Sequence, residues 1–205
     1  MVKRDAGFWW AILLIAMVPI LGFIVDSGAL AAYDRHISEL LSLRGDAATS
    51  LWSEILQSVT WLGDFGPRVG ISILIALFIF KGRGWIAALA MVITPIISSA
   101  YSSLLKTYFD LPRPQIIPHL DHVSSASYPS GHAAGAMVLY ALFVMSVPQH
   151  KRALPILLAL IMVILICWSR LALGVHWTTD IIGGLMGGLG FALLARPYVT
   201  AAVKR

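Results

Sequence analysis

The stretch SRLALGVHWTTD, Ser169 to Asp180, sets an arginine, a histidine and an aspartate between two of the most apolar segments of the chain. Ionisable groups at such a boundary are costly to keep near hydrocarbon and are functional by default. Two more segments share this character: KTYFDLPRP, which begins at Lys106, and YPSGH, which ends at His132. Lys106, Arg113 and Arg170 together offer three positive charges, suited to a phosphate dianion and the further charge of its transition state. An arginine fork can grip two phosphate oxygens at once. Ser130 and Gly131 immediately precede an apolar run, so they can present backbone N–H groups at a helix N-terminus, where an anion is favoured and glycine permits close approach. His176 and Asp180 stand four residues apart and fall on one helical face. A carboxylate bonded to one ring nitrogen fixes the tautomer and leaves the other lone pair free to attack phosphorus. His132 is then the remaining acid–base, placed to protonate a departing alkoxide.

Each residue has a plainer reading when taken singly. His132 could cap a helix, Arg170 could snorkel to a headgroup, Asp180 could cap the last helix, and Lys106 could mark the end of another. Their convergence on one side of the membrane is what favours chemistry. His119, His122, Asp110 and Asp121 read as loop residues supporting the site, and His36 and His150 as ordinary boundary residues. The loop histidines raise the question of a metal, but no HExxH, paired cysteine or carboxylate cluster accompanies them, and a site rich in Lys and Arg repels a cation. No metal and no cofactor are expected.

The elements that position these residues follow from composition. The chain has 205 residues, 59% of them hydrophobic and 12% charged, far outside the soluble norm. Six runs approach or reach the roughly 20 apolar residues a spanning helix needs. They are Phe8–Val25, Val69–Phe80 with its flanks, Trp85–Leu105, Ala133–Val147, Ala153–Leu173 and Ile181–Ala195. Without strict alternation they read as helices, so the expected fold is all-α: one polytopic membrane domain over residues 1–205, with six transmembrane helices and periplasmic loop or surface helices. Lys3, Arg4, Lys81, Arg83, Lys151, Arg152, Arg196, Lys204 and Arg205 all fall on one side of that arrangement, which predicts cytoplasmic termini and a periplasmic site. The net charge of +5 therefore reports topology, and no aromatic–basic array points to nucleic acid. The first run is longer than the apolar region of a cleaved signal and is expected to stay as a helix. Cys167 is expected to be a small buried hydrophobe. In TSLWSEILQSVTWLG the spacing puts Leu51, Ile55, Leu56 and Val59 on one helical face, with Ser53, Glu54 and Gln57 elsewhere, which suits a helix lying at the membrane surface. Pro95 is expected to bend the third span. GGLMGGLG gives Gly183/Gly187 and Gly184/Gly188 a close-packing spacing, read as packing within a monomer in preference to a homodimer seam.

The three segments resemble, complete and in order, the signature motifs of the phosphatidic acid phosphatase type 2 (PAP2) superfamily: K-x6-R-P, P-S-G-H and S-R-x5-H-x3-D. They span Lys106 to Asp180. The resemblance implies a metal-independent lipid phosphomonoesterase or diphosphatase working through a phosphohistidine, and the compact size of the chain leans towards an enzyme of a bacterial inner membrane. The resemblance also implies His176 as nucleophile, Asp180 as its partner and His132 as general acid, with Lys106, Arg113, Ser130, Gly131 and Arg170 binding phosphate. Its lipid substrate is left open among undecaprenyl diphosphate, phosphatidylglycerophosphate, phosphatidic acid and the lipid A 1-phosphate. A lipid-to-lipid phosphotransferase and a non-catalytic lipid-phosphate binder or transporter are the alternatives.

Overall fold

A computed structural model describes residues 5–200; Lys3, Arg4, Lys204 and Arg205, four of the charges used for orientation, lie outside the described residues. Among those described there are seven α-helices and no strand: α1 (Ala6–Asp26), α2 (Ala31–Leu41), α3 (Leu51–Trp61), α4 (Phe65–Phe109), α5 (Gly131–Ser146), α6 (Ala153–Ala172) and α7 (Thr178–Thr200). Four of them, α1, α4, α6 and α7, are long and apolar enough to cross a membrane, while α5 is apolar but shorter. The molecule is a multi-pass membrane protein. Its outer surface carries Trp9, Phe23, Phe78, Leu89, Leu154 and Ile164 well exposed, as a lipid-facing surface requires.

All six expected apolar runs are helical, but two of them are joined. The 45 residues of α4 rise about 68 Å at 1.5 Å per residue, more than twice the hydrocarbon thickness. Gly84 interrupts it with φ 81 and ψ 176, angles that only glycine adopts cheaply. The break therefore falls at the KGRG turn, and Pro95, expected to bend this segment, lies inside helical backbone farther along.

The central helix is α7, which packs against α1, α4 and α5. Its glycines explain how. A Cβ at Gly184 would lie 2.5 Å from the carbonyl oxygen of Ser130, and one at Gly188 would lie 2.4 Å from that of Ala134, so α5 approaches almost backbone to backbone. On another side a Cβ at Gly190 would meet Ile15 Cγ1 at 2.7 Å. The small-residue pattern is thus used inside the monomer.

Polar contacts tie the helix ends together in two groups. At one end Arg196 pairs with Asp5 at 2.7 Å, and Arg83 donates to the carbonyls of Ser146 and Thr200 at 3.1 and 2.8 Å. The ends of α1, α4's bend, α5 and α7 that carry these basic residues therefore meet. At the opposite end lie α2, α3 and the three motif segments. On α3, Ser53, Leu56 and Thr60 are buried against the rest of the molecule, while Leu51 and Ile55 are exposed. Leu56 packs with Ala172, Leu173 and Val175, and Gln57 donates to the Leu120 carbonyl at 3.1 Å, so contacts with the motif loops, rather than apolar spacing, choose the buried face.

Candidate active site

The short connection between α6 and α7 turns through Gly174, at φ 73, and delivers His176 just before the first residue of α7. Asp180 sits in the first helical turn, where the positive end of the helix dipole favours a carboxylate. Its Oδ2 lies 3.0 Å from His176 Nδ1 and also accepts from the Trp177 N–H at 2.8 Å and the Ser127 hydroxyl at 2.5 Å. Both residues are buried, His176 at 2% exposure and Asp180 at 0%. The other ring nitrogen, Nε2, lies 3.4 Å from Arg113 Nη1. Arginine only donates, so Nε2 is the accepting, unprotonated nitrogen and Nδ1 holds the proton against Asp180. Burial, reinforced by the charges of Lys106, Arg113 and Arg170, pushes the His176 pKa well below its ordinary value. The imidazole is therefore neutral, with a nucleophilic lone pair facing the cations.

Those cations are held by the backbone. Lys106, in the last turn of α4, donates to the carbonyls of Ala126 and Ser127, the latter at 3.0 Å. Arg113 donates to the carbonyls of Ser125 at 2.9 Å, Val175 at 2.5 Å and Ala126 at 3.3 Å. Burial lowers its pKa to about 10, leaving the guanidinium charged at neutral pH. Arg170, 1% exposed, donates to Thr60 Oγ1 at 2.6 Å and pairs with Asp121. Its Nε is buried with no hydrogen-bond partner among the described residues.

PSGH opens α5 with Ser130 as N-cap, its hydroxyl oxygen accepting from the Ala133 N–H at 3.4 Å. The Ser130 N–H donates to the Asp180 carbonyl at 3.0 Å, which fastens this turn to α7. Backbone N–H groups open to an anion are therefore those of Gly131 and His132, and Ser130's remaining route to an anion is its O–H. His132 Nε2 lies 3.0 Å from Asp64 Oδ1, off the line of a hydrogen bond. All eight residues singled out in the sequence thus border one end of the α4–α5–α7 core. Such an arrangement can bind a phosphoryl group among cations and N–H groups with a neutral imidazole beside it.

The sequence pattern of the PAP2 superfamily matches residues 83–204, more than half of the chain. The chain belongs to the PAP2 superfamily. Phosphatidylglycerophosphatase B of Bacillus subtilis (strain 168) is 26% identical over 186 residues, covering 87% of this chain and 89% of the relative. Lipid A 1-phosphatase of Rhizobium johnstonii is 27% identical over 176 residues, covering 78% of this chain and 66% of the relative. The crystal structure of a transmembrane PAP2-type phosphatidylglycerolphosphate phosphatase from Bacillus subtilis superposes with a TM-score of 0.81 at 25% identity, covering 93% of this chain and 96% of that one. The protein is a PAP2-type phosphatase.

Several residues around this PAP2 site lie outside its motifs. Ser127 donates to Asp180, yet nothing in SSASYPSGH separates it from Ser124 and Ser125 before the fold is known. Arg68 donates to the Gly131 carbonyl at 2.9 Å from α4, and Thr60 reaches Arg170 from α3. Asp34, on α2, accepts from both the N–H and the hydroxyl of Thr179, at 3.0 and 2.5 Å, and so holds the start of α7. An arginine ahead of a long apolar run was the available signal for Arg68; Asp34 lies among Arg35, His36 and Glu39, and nothing in the sequence singles it out. Asp121 supports the site from the loop, as read, through Arg170. His119 instead contacts the Pro114 carbonyl at 2.7 Å.

Proposed function

We propose that this chain is a lipid phosphatase that hydrolyses a phosphomonoester or diphosphate of a membrane lipid through a phosphohistidine on His176. The observation that carries the reading is the His176 geometry: Nδ1 against Asp180 and Nε2 against Arg113. Nε2 attacks phosphorus while Asp180 keeps the proton on Nδ1 and stabilises the imidazolium that forms. Lys106, Arg113 and Arg170, with the Gly131 and His132 N–H groups and the Ser130 hydroxyl, take up the charge on the phosphoryl oxygens. His132 gives a proton to the leaving oxygen, then removes one from the water that cleaves the phosphorus–nitrogen bond.

In this reading α1, the two arms of α4, α5, α6 and α7 make six crossings of a bacterial inner membrane. The Arg83, Arg152 and Arg196 end faces the cytoplasm and the PAP2 motifs face outward. With 16 residues α5 rises only about 24 Å, short of the roughly 30 Å of hydrocarbon. Its N-terminal turn then lies near the depth at which a lipid phosphate meets its tail. The names of the two relatives put phosphatidylglycerophosphate and lipid A first among the substrates to try. The test is phosphate release by the purified chain from phosphatidylglycerophosphate, lipid A 1-phosphate, phosphatidic acid and undecaprenyl diphosphate, with and without exhaustive chelation. Release that survives chelation, with an acid-labile phosphoenzyme absent from His176→Ala, supports the reading. Activity restored by one divalent cation overturns the metal-free mechanism, and phosphate passed to a second lipid makes the chain a transferase.

A further inference from the structure

One carboxylate beside the site does not do what its position invites. Asp64 is the N-cap of α4, with extended backbone at φ −67 and ψ 157, yet its side chain makes no capping bond to that helix. Aspartate at an N-cap ordinarily accepts from a first-turn N–H group. Here Oδ1 is turned to His132 Nε2, 3.0 Å away. The surrounding turn is shaped to bring the two together. A Cβ on Gly63 would lie 2.6 Å from His132 Cδ2 and 3.0 Å from Ile166 Cγ2, so only glycine lets the chain close on the imidazole. Arg68, one helical turn after Asp64, donates to the Asp64 carbonyl at 3.3 Å and to the Gly131 carbonyl at 2.9 Å. It thereby ties the α3–α4 turn to the residue that precedes His132.

The charges facing His132 come from several elements. Burial of the ring, together with Arg170 on α6 and Arg68 on α4, opposes an imidazolium there, Asp64 favours it, and His176 lies close enough to interact. Asp64 itself is half exposed, and its contact with His132 holds its carboxyl below the ordinary aspartate value, so it remains ionised. Asp180 is wholly buried by contrast.

On the reading of His132 as general acid, we infer that Asp64 is a positioning residue for that histidine. Its carboxylate faces Nε2, stabilises the imidazolium and leaves Nδ1 to serve the leaving oxygen. When the bond from phosphorus to the lipid alcohol breaks, its electron pair stays on oxygen, which takes the Nδ1 proton. The neutral ring then accepts a proton from water as the water oxygen bonds phosphorus and the bond to His176 Nε2 breaks. Asp64 stays ionised through both steps. The site thus holds two carboxylate–imidazole pairs, Asp180–His176 placed for attack and Asp64–His132 placed for proton donation.

The experiment compares phosphatidic acid, whose leaving group is an alkoxide, with p-nitrophenyl phosphate, whose leaving group needs little protonation. The full chain is assayed in detergent as wild type, Asp64→Asn, Asp64→Glu, His132→Ala and the Asp64→Asn/His132→Ala double variant. General acid help is typically worth 10²–10⁴-fold, so Asp64→Asn should lower kcat on phosphatidic acid about 10- to 100-fold and on the nitrophenyl ester no more than about 3-fold. The alkaline limb of its pH profile should move to lower pH, because an imidazolium without its carboxylate gives up its proton sooner. Asp64→Glu should recover much of the loss, and Asp64→Asn should add nothing in the His132→Ala background. Retained turnover of the nitrophenyl ester shows that Asp64→Asn is folded. Equal loss on both substrates, an unmoved alkaline limb, or a further fall in the double variant overturns the assignment of Asp64 while leaving that of His132 intact. If His132→Ala loses both substrates equally, the general-acid reading itself fails.

Discussion

Gly135 lies in α5, three residues beyond His132, and its replacement by alanine sets helix propensity against tertiary contact. In an exposed helix interior the change should stabilise by about 1 kcal/mol. Here a Cβ would stand 1.0 Å from Nη1 of Arg68 and 2.1 Å from its Cζ, so the methyl group and the guanidinium cannot share the space. The far end of a flexible side chain gives way before a helix does. The cost is therefore what the guanidinium loses: its bond to the Gly131 carbonyl at 2.9 Å and a longer contact with Ser99 Oγ at 3.5 Å. Arg68 is only 6% exposed, so water cannot readily replace them. A hydrogen bond to a charged group contributes roughly 1.5–3 kcal/mol net, and subtracting the propensity gain leaves a destabilisation of about 0.5–2 kcal/mol. Unfolding by graded SDS in detergent micelles, followed by circular dichroism, measures it. Phosphate release should fall as well, because the Gly131 turn loses its anchor. Arg68→Met vacates the space, and in that background Gly135→Ala should be neutral or stabilising. A Gly135→Ala protein at least as stable as wild type, or equally destabilised with and without Arg68, refutes this account of the contact.

Three other outcomes follow from the same geometry. Reporter fusions at Arg83 and Gln149 should read cytoplasmic and those near His122 periplasmic; the reverse pattern would overturn the proposed orientation. A nitrophenyl phosphate, needing little protonation of its leaving group, should rescue His132→Ala substantially and His176→Ala not at all, and equal rescue would mean that the two histidines are wrongly assigned. Burial raises the Asp34 pKa above its ordinary value despite the Thr179 hydrogen bonds, so the folded protein binds that proton more tightly than the unfolded chain. The resulting stability is fully present below the unfolded pKa and is lost as pH rises through the raised one. Wild type should therefore gain stability relative to Asp34→Asn as pH is lowered from neutrality towards 4, and a flat or opposite trend in SDS unfolding would count against the buried carboxylate.

The candidate constellation could be read from the sequence because it is written locally. His176 and Asp180 meet through one helical turn, and Ser130–His132 sit where an apolar helix must begin, so spacing alone places them. The helices were legible for a similar reason, since hydrocarbon imposes one requirement on every span. What spacing could not supply were contacts made across the fold. Asp64, Arg68 and Thr60 approach the site from a turn and two helices far back in the chain, and nothing in WLGDFGPRVG announces that its glycine makes room for an imidazole. Nor could periodicity show which side of α3 packs on the protein: it groups Leu51, Ile55, Leu56 and Val59, while the packing of Leu56 on Ala172, Leu173 and Val175 and the Arg170–Thr60 bond select the side that is buried. At a membrane surface an exposed leucine carries little penalty, so periodicity loses the authority it has in water.

The way the cations are held bears on how such a site stays ready for an anion. Lys106 and Arg113 are bonded chiefly to carbonyl oxygens of residues 125–127 and 175, which satisfy their N–H groups without cancelling their charge. Carboxylate partners in those places would have fixed the side chains equally well and neutralised them. Arg170 is the exception, because Asp121 already balances it. In the proposed mechanism an arriving phosphate meets Lys106 and Arg113, whose hydrogen-bond partners are mainly carbonyls, and Arg170, which is already paired with Asp121. In the proposed mechanism burial, reinforced by the charges of Lys106, Arg113 and Arg170, keeps the imidazole unprotonated, so the cations that bind the substrate also help to preserve the lone pair that would attack it.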